Sequence, residues 1–230
     1  MLNLASLPDK KVRSAISAVV DRNGLQTLLG LQGNVTTDIY PPALFPKLSR
    51  RQEISEQRHD DDKSLRTTPL RLVAFEDVLS RAIAEQVARD ARRVGLPIEI
   101  QSVPFPVLVD RLNKGDYDLL QLYWGPFYAD LRHFLAPFLS KSFPPSGNNF
   151  NRYRNPAVDL LVDASQALAD HDADCLFSSV RDMILRDAPI IPLYFGNLVR
   201  ASNGTFAMPL HPLGYRPYKL AVPINEKPKG

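Results

Sequence analysis

Residues 70–123 read LRLVAFEDVLSRAIAEQVARDARRVGLPIEIQSVPFPVLVDRLNKGDYDLLQLY, and the spacing of their apolar positions decides the fold. Leu70, Leu72 and Ala74 alternate as in a strand, whereas Leu79, Ile83, Val87, Ala91 and Val94 recur at the interval that lines one face of a helix, which stops at Gly95. Ile98 and Ile100 alternate again, a shorter helix carries Leu108, Val109 and Leu112 up to Gly115, and Tyr117 to Tyr123 forms an apolar strand expected to be buried. Strand, helix, strand, helix, strand builds a parallel sheet through right-handed crossovers, and ligands of such sheets gather beyond the carboxyl ends of the strands. The expected class is therefore α/β, a central and mostly parallel sheet flanked by helices.

Upstream, Val12, Ala15, Ile16, Val19 and Val20 mark an amphipathic helix with Lys10, Lys11 and Arg13 elsewhere around it, expected to end near Asn23-Gly24 ahead of a short apolar segment, Leu25 to Leu29. Pro41-Pro42 and Pro46 stiffen an extended passage, and residues 47–68, including Asp60-Asp61-Asp62, read as an exposed polar loop. Downstream, Asn155-Pro156 opens a helix with Val158, Leu161 and Val162, and another carries Leu176, Phe177, Val180 and Ile184. Ile190 to Phe195 reads as a strand that Pro192 confines to an edge or a bulge. Residues 1–200 thus form one α/β unit, followed by a Pro- and Gly-rich tail over 201–230 that is expected to be irregular.

Composition narrows function mainly by exclusion. Twenty-eight Lys and Arg against 25 Asp and Glu give a net charge of +3, and the two signs alternate along most segments, so a nucleic-acid-binding face is not expected. The lone Cys175 lies within a helical pattern and is expected to be a buried, inert thiol. No apolar run reaches the roughly 20 residues that cross a bilayer, and Met1 is not followed by a basic region leading into a hydrophobic stretch.

His59, His133, His171 and His211 are widely separated, Asp170-His171-Asp172 reads as a polar turn, and no zinc, phosphate-loop or dinucleotide motif occurs. Neither an enzyme nor a bound cofactor or metal is expected. The third strand instead delivers Tyr123-Trp124-Gly125-Pro126-Phe127-Tyr128, the densest aromatic cluster and the only tryptophan, to the ligand end of the sheet. Large rings give contact area at low entropic cost and cover a ligand without dictating its side chains.

Several of these segments, in this order, resemble the peptide, dipeptide and nickel class of ABC-transporter solute-binding proteins, bacterial extracellular solute-binding protein family 5. Lys11-Val12-Arg13-Ser14-Ala15-Ile16 before Asp21-Arg22, the Gly30 to Gly33 turn, Pro41-Pro42, the helix from Ala82 to Gly95, Gly115-Asp116-Tyr117-Asp118, Trp124, and Asp130 to Leu135 are similar to the family pattern in sequence order, as are Asn149 to Pro156 and Asp187 to Leu193. The pattern's usual proline after the aspartate is Leu131 here.

A complete member is about twice this long and closes two lobes on its ligand through a hinge. The resemblance therefore implies the C-terminal lobe, of the type II periplasmic-binding-protein-like fold. It also implies a small solute or short peptide as ligand, the first lobe and the transporter's membrane subunits as partners, and a periplasmic location. Tyr123, Trp124, Phe127, Tyr128, Asp130 and Asn149 are the expected ligand-binding residues. Peptide-binding members place an aspartate three residues after the tryptophan to meet the ligand's amine, whereas this chain has Phe127, which leaves Asp130 or the first lobe to supply that charge. A ligand-silent lobe that acts only as an interaction module is the alternative.

Overall fold

The computed structural model describes residues 1–48, 68–125, 130–169, 172–197, 206–207 and 222–223. Among them, β2 (Leu70–Phe75), β3 (Ile98–Val103) and β4 (Leu119–Leu120) form a parallel sheet in the order β3-β2-β4, registered as Leu70 opposite Ile98 and Leu72 opposite Leu119. Helix α3 (Val78–Arg93) joins β2 to β3 and α4 (Phe105–Lys114) joins β3 to β4. The strand order thus reverses across β2, the arrangement that opens a crevice between the loops after β2 and β4.

Side-chain alternation assigns the two faces of the sheet. Leu70, Leu72, Ala74, Ile98 and Leu119 pack against Ile83, Ala84, Val87 and Ala91 of α3 and against α1 (Lys10–Val19) and α2 (Arg22–Leu29). Val73, Val103 and Leu120 face Leu108 and Leu112 of α4 and the buried Tyr117 ring. The pairing of β4 is wider than its two-residue strand: Asp118 N donates to Arg71 O (3.0 Å) and Gln121 N to Val73 O (2.9 Å). On the outer side of β4, Leu2 makes an antiparallel bridge to Leu119, and the Met1 amine donates to Leu120 O at 2.6 Å.

A second core gathers α5 (Leu131–Leu135), α6 (Pro156–Ala164) and α7 (Asp174–Asp187) around Tyr40, Phe134, Phe138, Val158, Phe177 and Ile184. Leu4 packs against both this cluster and the one under α3. Here the turns at Pro41-Pro42 and Pro46 bring Phe45 into edge-to-face contact with Tyr40 and Phe134. The antiparallel ladder of β1 (Gly33–Val35) and β5 (Tyr194–Gly196) stands apart from the parallel sheet.

Several expectations need correction. Gly24 does not stop a helix. The first helix ends in extended backbone at Val20, and the Asp21 side chain accepts from Gly24 N (2.9 Å) to start α2, which contains Leu25 to Leu29. Cys175 is exposed, because it lies on the outer side of the first turn of α7. Arg13 is buried. The strand expected over Ile190 to Phe195 begins only at Tyr194, after Pro192. The tail is not irregular throughout, since β6 (Phe206–Ala207) pairs with β7 (Val222–Pro223). Leu48, inside the span expected to be an exposed loop, is buried, and residues 49–67 lie outside the described residues.

Gly115-Asp116-Tyr117-Asp118 is an internal brace. Gly115 takes the left-handed conformation (φ 73°) that ends α4. The Asn3 amide donates to Gly115 O (3.0 Å) and Tyr117 O (2.9 Å), while Asp118 accepts from Arg71 N (2.8 Å). The Tyr117 hydroxyl donates to Phe150 O, and burial pushes its pKa up to about 12. Gly115→Ala is expected to cost about 1–2 kcal/mol, the penalty of a left-handed non-glycine residue, read as a lower urea midpoint at unchanged slope.

Candidate functional site

Beyond the carboxyl ends of β2, β3 and β4 the chain exposes a row of aromatic side chains. Phe75 ends β2 at 39% exposure, Phe105 opens α4 at 64%, and Tyr123 lies just past β4 at 73%. Phe75 and Phe105 meet edge to face with ring centres 6.4 Å apart. Such rings normally fold inward, so their exposure past the carboxyl ends of a parallel sheet describes an open wall.

The local sequence explains why each side chain is held there. In β2 the residue after Ala74 points to the α4 side, and the sheet ends there because Asp77 caps α3, its carboxylate accepting from Ser80 N (2.9 Å). Burial pushes the Asp77 carboxyl up, yet the hydrogen bonds from Ser80 and Leu79 hold it below the ordinary carboxylate range. Pro104 and Pro106 set the first turn of α4 and so fix the direction of Phe105. Tyr194, in β5, reaches the same end of the molecule, where burial first, then Tyr123 and Asp77, push its phenol pKa up.

Trp124 borders both the wall and the second core. Its ring is half-buried against that core, its Nε1 donates to Phe134 O (3.3 Å), and it stacks on His133 with ring centres 6.3 Å apart. Asp130 begins α5, its carboxylate accepting from Arg132 N (2.8 Å) with the Arg132 guanidinium 3.6 Å away. Roughly half its side chain is exposed, so this acid faces outward beside the tryptophan's support. Phe127 and Tyr128 lie outside the described residues.

Asn149, expected at the site, serves the fold. It is fully buried, its amide donates to Leu139 O (2.9 Å) and Tyr153 O (2.8 Å), and its carbonyl accepts from Tyr153 N (3.1 Å), which engages both amide hydrogens internally. The structure thus brings Tyr123 and Trp124 to one end, with Asp130 beyond them, and places Asn149 in the interior. Sequence reasoning misses Phe75, Phe105 and Tyr194. The first two are detectable by inspecting the carboxyl end of every strand in the sheet, not of the third alone, whereas Tyr194 gives no such signal because it arrives on a separate ladder.

Among the described residues no group of three or more His, Cys, Asp or Glu is placed to hold a metal ion, and no helix is long and apolar enough to cross a membrane. The arrangement offers contact surface and a few polar groups, the materials of reversible binding.

The chain belongs to the bacterial extracellular solute-binding proteins, family 5, whose middle region matches residues 2–145. Among curated relatives, it is 26% identical over 200 residues to the probable di/tripeptide-binding protein 5 of Pseudomonas aeruginosa, covering 81% of this chain and 38% of that protein. It is 24% identical over 238 residues to the periplasmic murein peptide-binding protein MppA of Escherichia coli, covering 94% and 40%. The chain therefore spans 38% and 40% of the length of these two relatives.

Solved structures show the same fold. A periplasmic oligopeptide-binding protein of Borrelia burgdorferi (OppAIV) matches with a TM-score of 0.78 at 19% identity, over 97% of this chain and 47% of that one. A peptide-binding protein of a peptide ABC transporter matches with a TM-score of 0.67 at 23% identity, over 84% of this chain and 95% of that one.

Proposed function

We propose that this chain supplies one wall of a binding cleft for a peptide or similarly sized solute, which a solute-binding protein captures and hands to an ABC importer. The observation that carries the reading is that Phe75, Phe105 and Tyr123 are each exposed near the carboxyl ends of the parallel strands. A buried cluster would imply packing alone, whereas an open aromatic wall implies a second surface that closes on it. The names of the two curated relatives, both peptide-binding proteins, agree with that ligand class.

The opposing wall is the first lobe, and the chain is the C-terminal one. The periplasm is the expected location and the transporter's membrane subunits are the downstream partner. Binding favours the closed form and no bond of the solute is broken. Tyr123 and Trp124 carry the contact, with Asp130 the next acid after them in the chain.

One wall leaves a ligand half wetted, so the chain alone binds weakly and tight binding needs both lobes. Calorimetry with short peptides, run with and without the complementary lobe, is expected to show heat of binding only in the mixture. Trp124→Ala is expected to weaken that binding by about 1–3 kcal/mol, the contribution of a buried aromatic contact. Absence of peptide binding in the mixture would reject the transport reading in favour of a lobe that only docks onto other chains, and unchanged affinity in the variant would remove Trp124 from the site.

A further inference from the structure

The exposed Tyr123 ring rests on glycine. A Cβ at Gly125 would lie 3.2 Å from Tyr123 Cε1 and one at Gly196 would lie 3.4 Å from Tyr123 Cε2, so both edges of the ring lie against backbone. Glycine is usually required where the backbone is left-handed. Among the described residues that holds at Gly30, Gly95 and Gly115, and neither Gly125 nor Gly196 has a positive φ. Side chains would therefore be conformationally allowed at both; a Cβ at Gly125 would crowd the ring, one at Gly196 would meet it in ordinary van der Waals contact, and anything bulkier at 196 would have to displace it.

The neighbouring tyrosine repeats the device. Gly33 is registered opposite Gly196 in the β1–β5 ladder, and a Cβ on Gly33 would lie 2.5 Å from Tyr194 Cδ2. Two glycines facing each other across one ladder thus seat two tyrosines, although glycine weakens a strand. Tyr123 keeps 73% of its surface open to solvent in this seat.

We infer that Gly125 and Gly196 are specificity-determining positions of the cleft proposed above, on which this inference rests. They let the Tyr123 ring lie low against the end of β5, so the wall admits a large planar side chain of a bound peptide. A branched side chain at position 196 lifts the ring into that space and leaves small side chains unaffected. Valine suits a strand, so Gly196→Val preserves the ladder while changing the height of the ring.

The test is nuclear magnetic resonance on the 230-residue chain, titrated with Ala-Phe-Ala and with Ala-Ala-Ala, alone and with the complementary lobe. The Gly196 α-protons are expected to carry a ring-current shift that disappears in Tyr123→Ala. The wild-type preference for Ala-Phe-Ala is expected to fall by about tenfold in Gly196→Val, the scale on which a pocket discriminates side-chain bulk, and to fall in Tyr123→Ala, which removes an exposed ring and leaves the core intact. If neither tripeptide binds the wild-type chain under either condition, the cleft reading fails and the specificity claim with it. If both bind and Gly196→Val and Tyr123→Ala keep the wild-type ratio, or the Gly196 shift is absent, the role of the glycines is overturned while the cleft stands.

Discussion

Arg13→Met is expected to destabilise the chain by about 1–3 kcal/mol, the scale for leaving buried hydrogen-bond acceptors unsatisfied. The Arg13 guanidinium is buried and donates to four carbonyls: Leu7 O (2.8 Å), Pro8 O (2.8 Å), Asp187 O (2.7 Å) and Ala188 O (3.2 Å). Burial lowers its pKa, opposed by Asp187, Asp9 and Tyr153. Two of the carbonyls belong to the end of α7, where a cation also offsets the helix dipole, and two to the turn before α1. Methionine fills similar volume but leaves all four acceptors without the guanidinium. Equilibrium urea unfolding measures the loss, and Arg13→Lys is expected to recover only part of it because an ammonium cannot reproduce the planar fork. A change below about 1 kcal/mol, within the range of an exposed ion pair, would show that the network contributes little.

For the 230-residue chain expressed from Met1, acidification is expected to produce a comparable loss through the Met1 amine, whose pKa burial lowers from 8.0 to about 5. Between those values the folded chain keeps a neutral amine while the unfolded chain binds a proton. Stability from this group is therefore complete above pH 8, declines as the pH falls, and is lost below about pH 5. Three pKa units correspond to up to about 4 kcal/mol. Comparing urea midpoints at pH 8 and pH 5 with those of a chain extended before Met1 isolates the effect. The extended chain has an amide in place of the amine, keeps a donor for Leu120 O, and is expected to lack this component. Equal pH dependence in the two chains would refute the assignment.

The parallel unit is legible in the sequence because its signals are local and redundant. Leu70 to Tyr123 switches between the two apolar periods, Gly95 and Gly115 punctuate both helices, and both have positive φ. What sequence reasoning misses depends on partners it does not bring together. Arg13 sits among the polar residues of α1 in the sequence pattern, yet Asp187 and Ala188, which engage it, lie 174 and 175 residues further on. Gly24 resembles a stop because glycine often is one, but Asp21 uses its backbone N–H as a helix start. Residue type puts Cys175 inside, and the phase of α7 turns it outward.

The candidate site is legible as a place more than as a set of residues. The strand-end rule leads to Tyr123 and Trp124, but only the structure shows the first ring open and the second shared with a core. Asn149 rests on the family pattern, which does not distinguish a residue that holds a ligand from one that holds a loop. Its hydrogen bonds to Leu139 and Tyr153 make it the latter.

Leu4, wedged between the sheet layer and the α5–α7 layer, gives those layers a common fate. Neither can open at that seam without exposing the other, so slow amide exchange in β2 and in α7 should share one protection ceiling. Trimming Leu4 to alanine is expected to lower that ceiling in both layers alike, because the Arg13 bonds to Asp187 and Ala188 still join them.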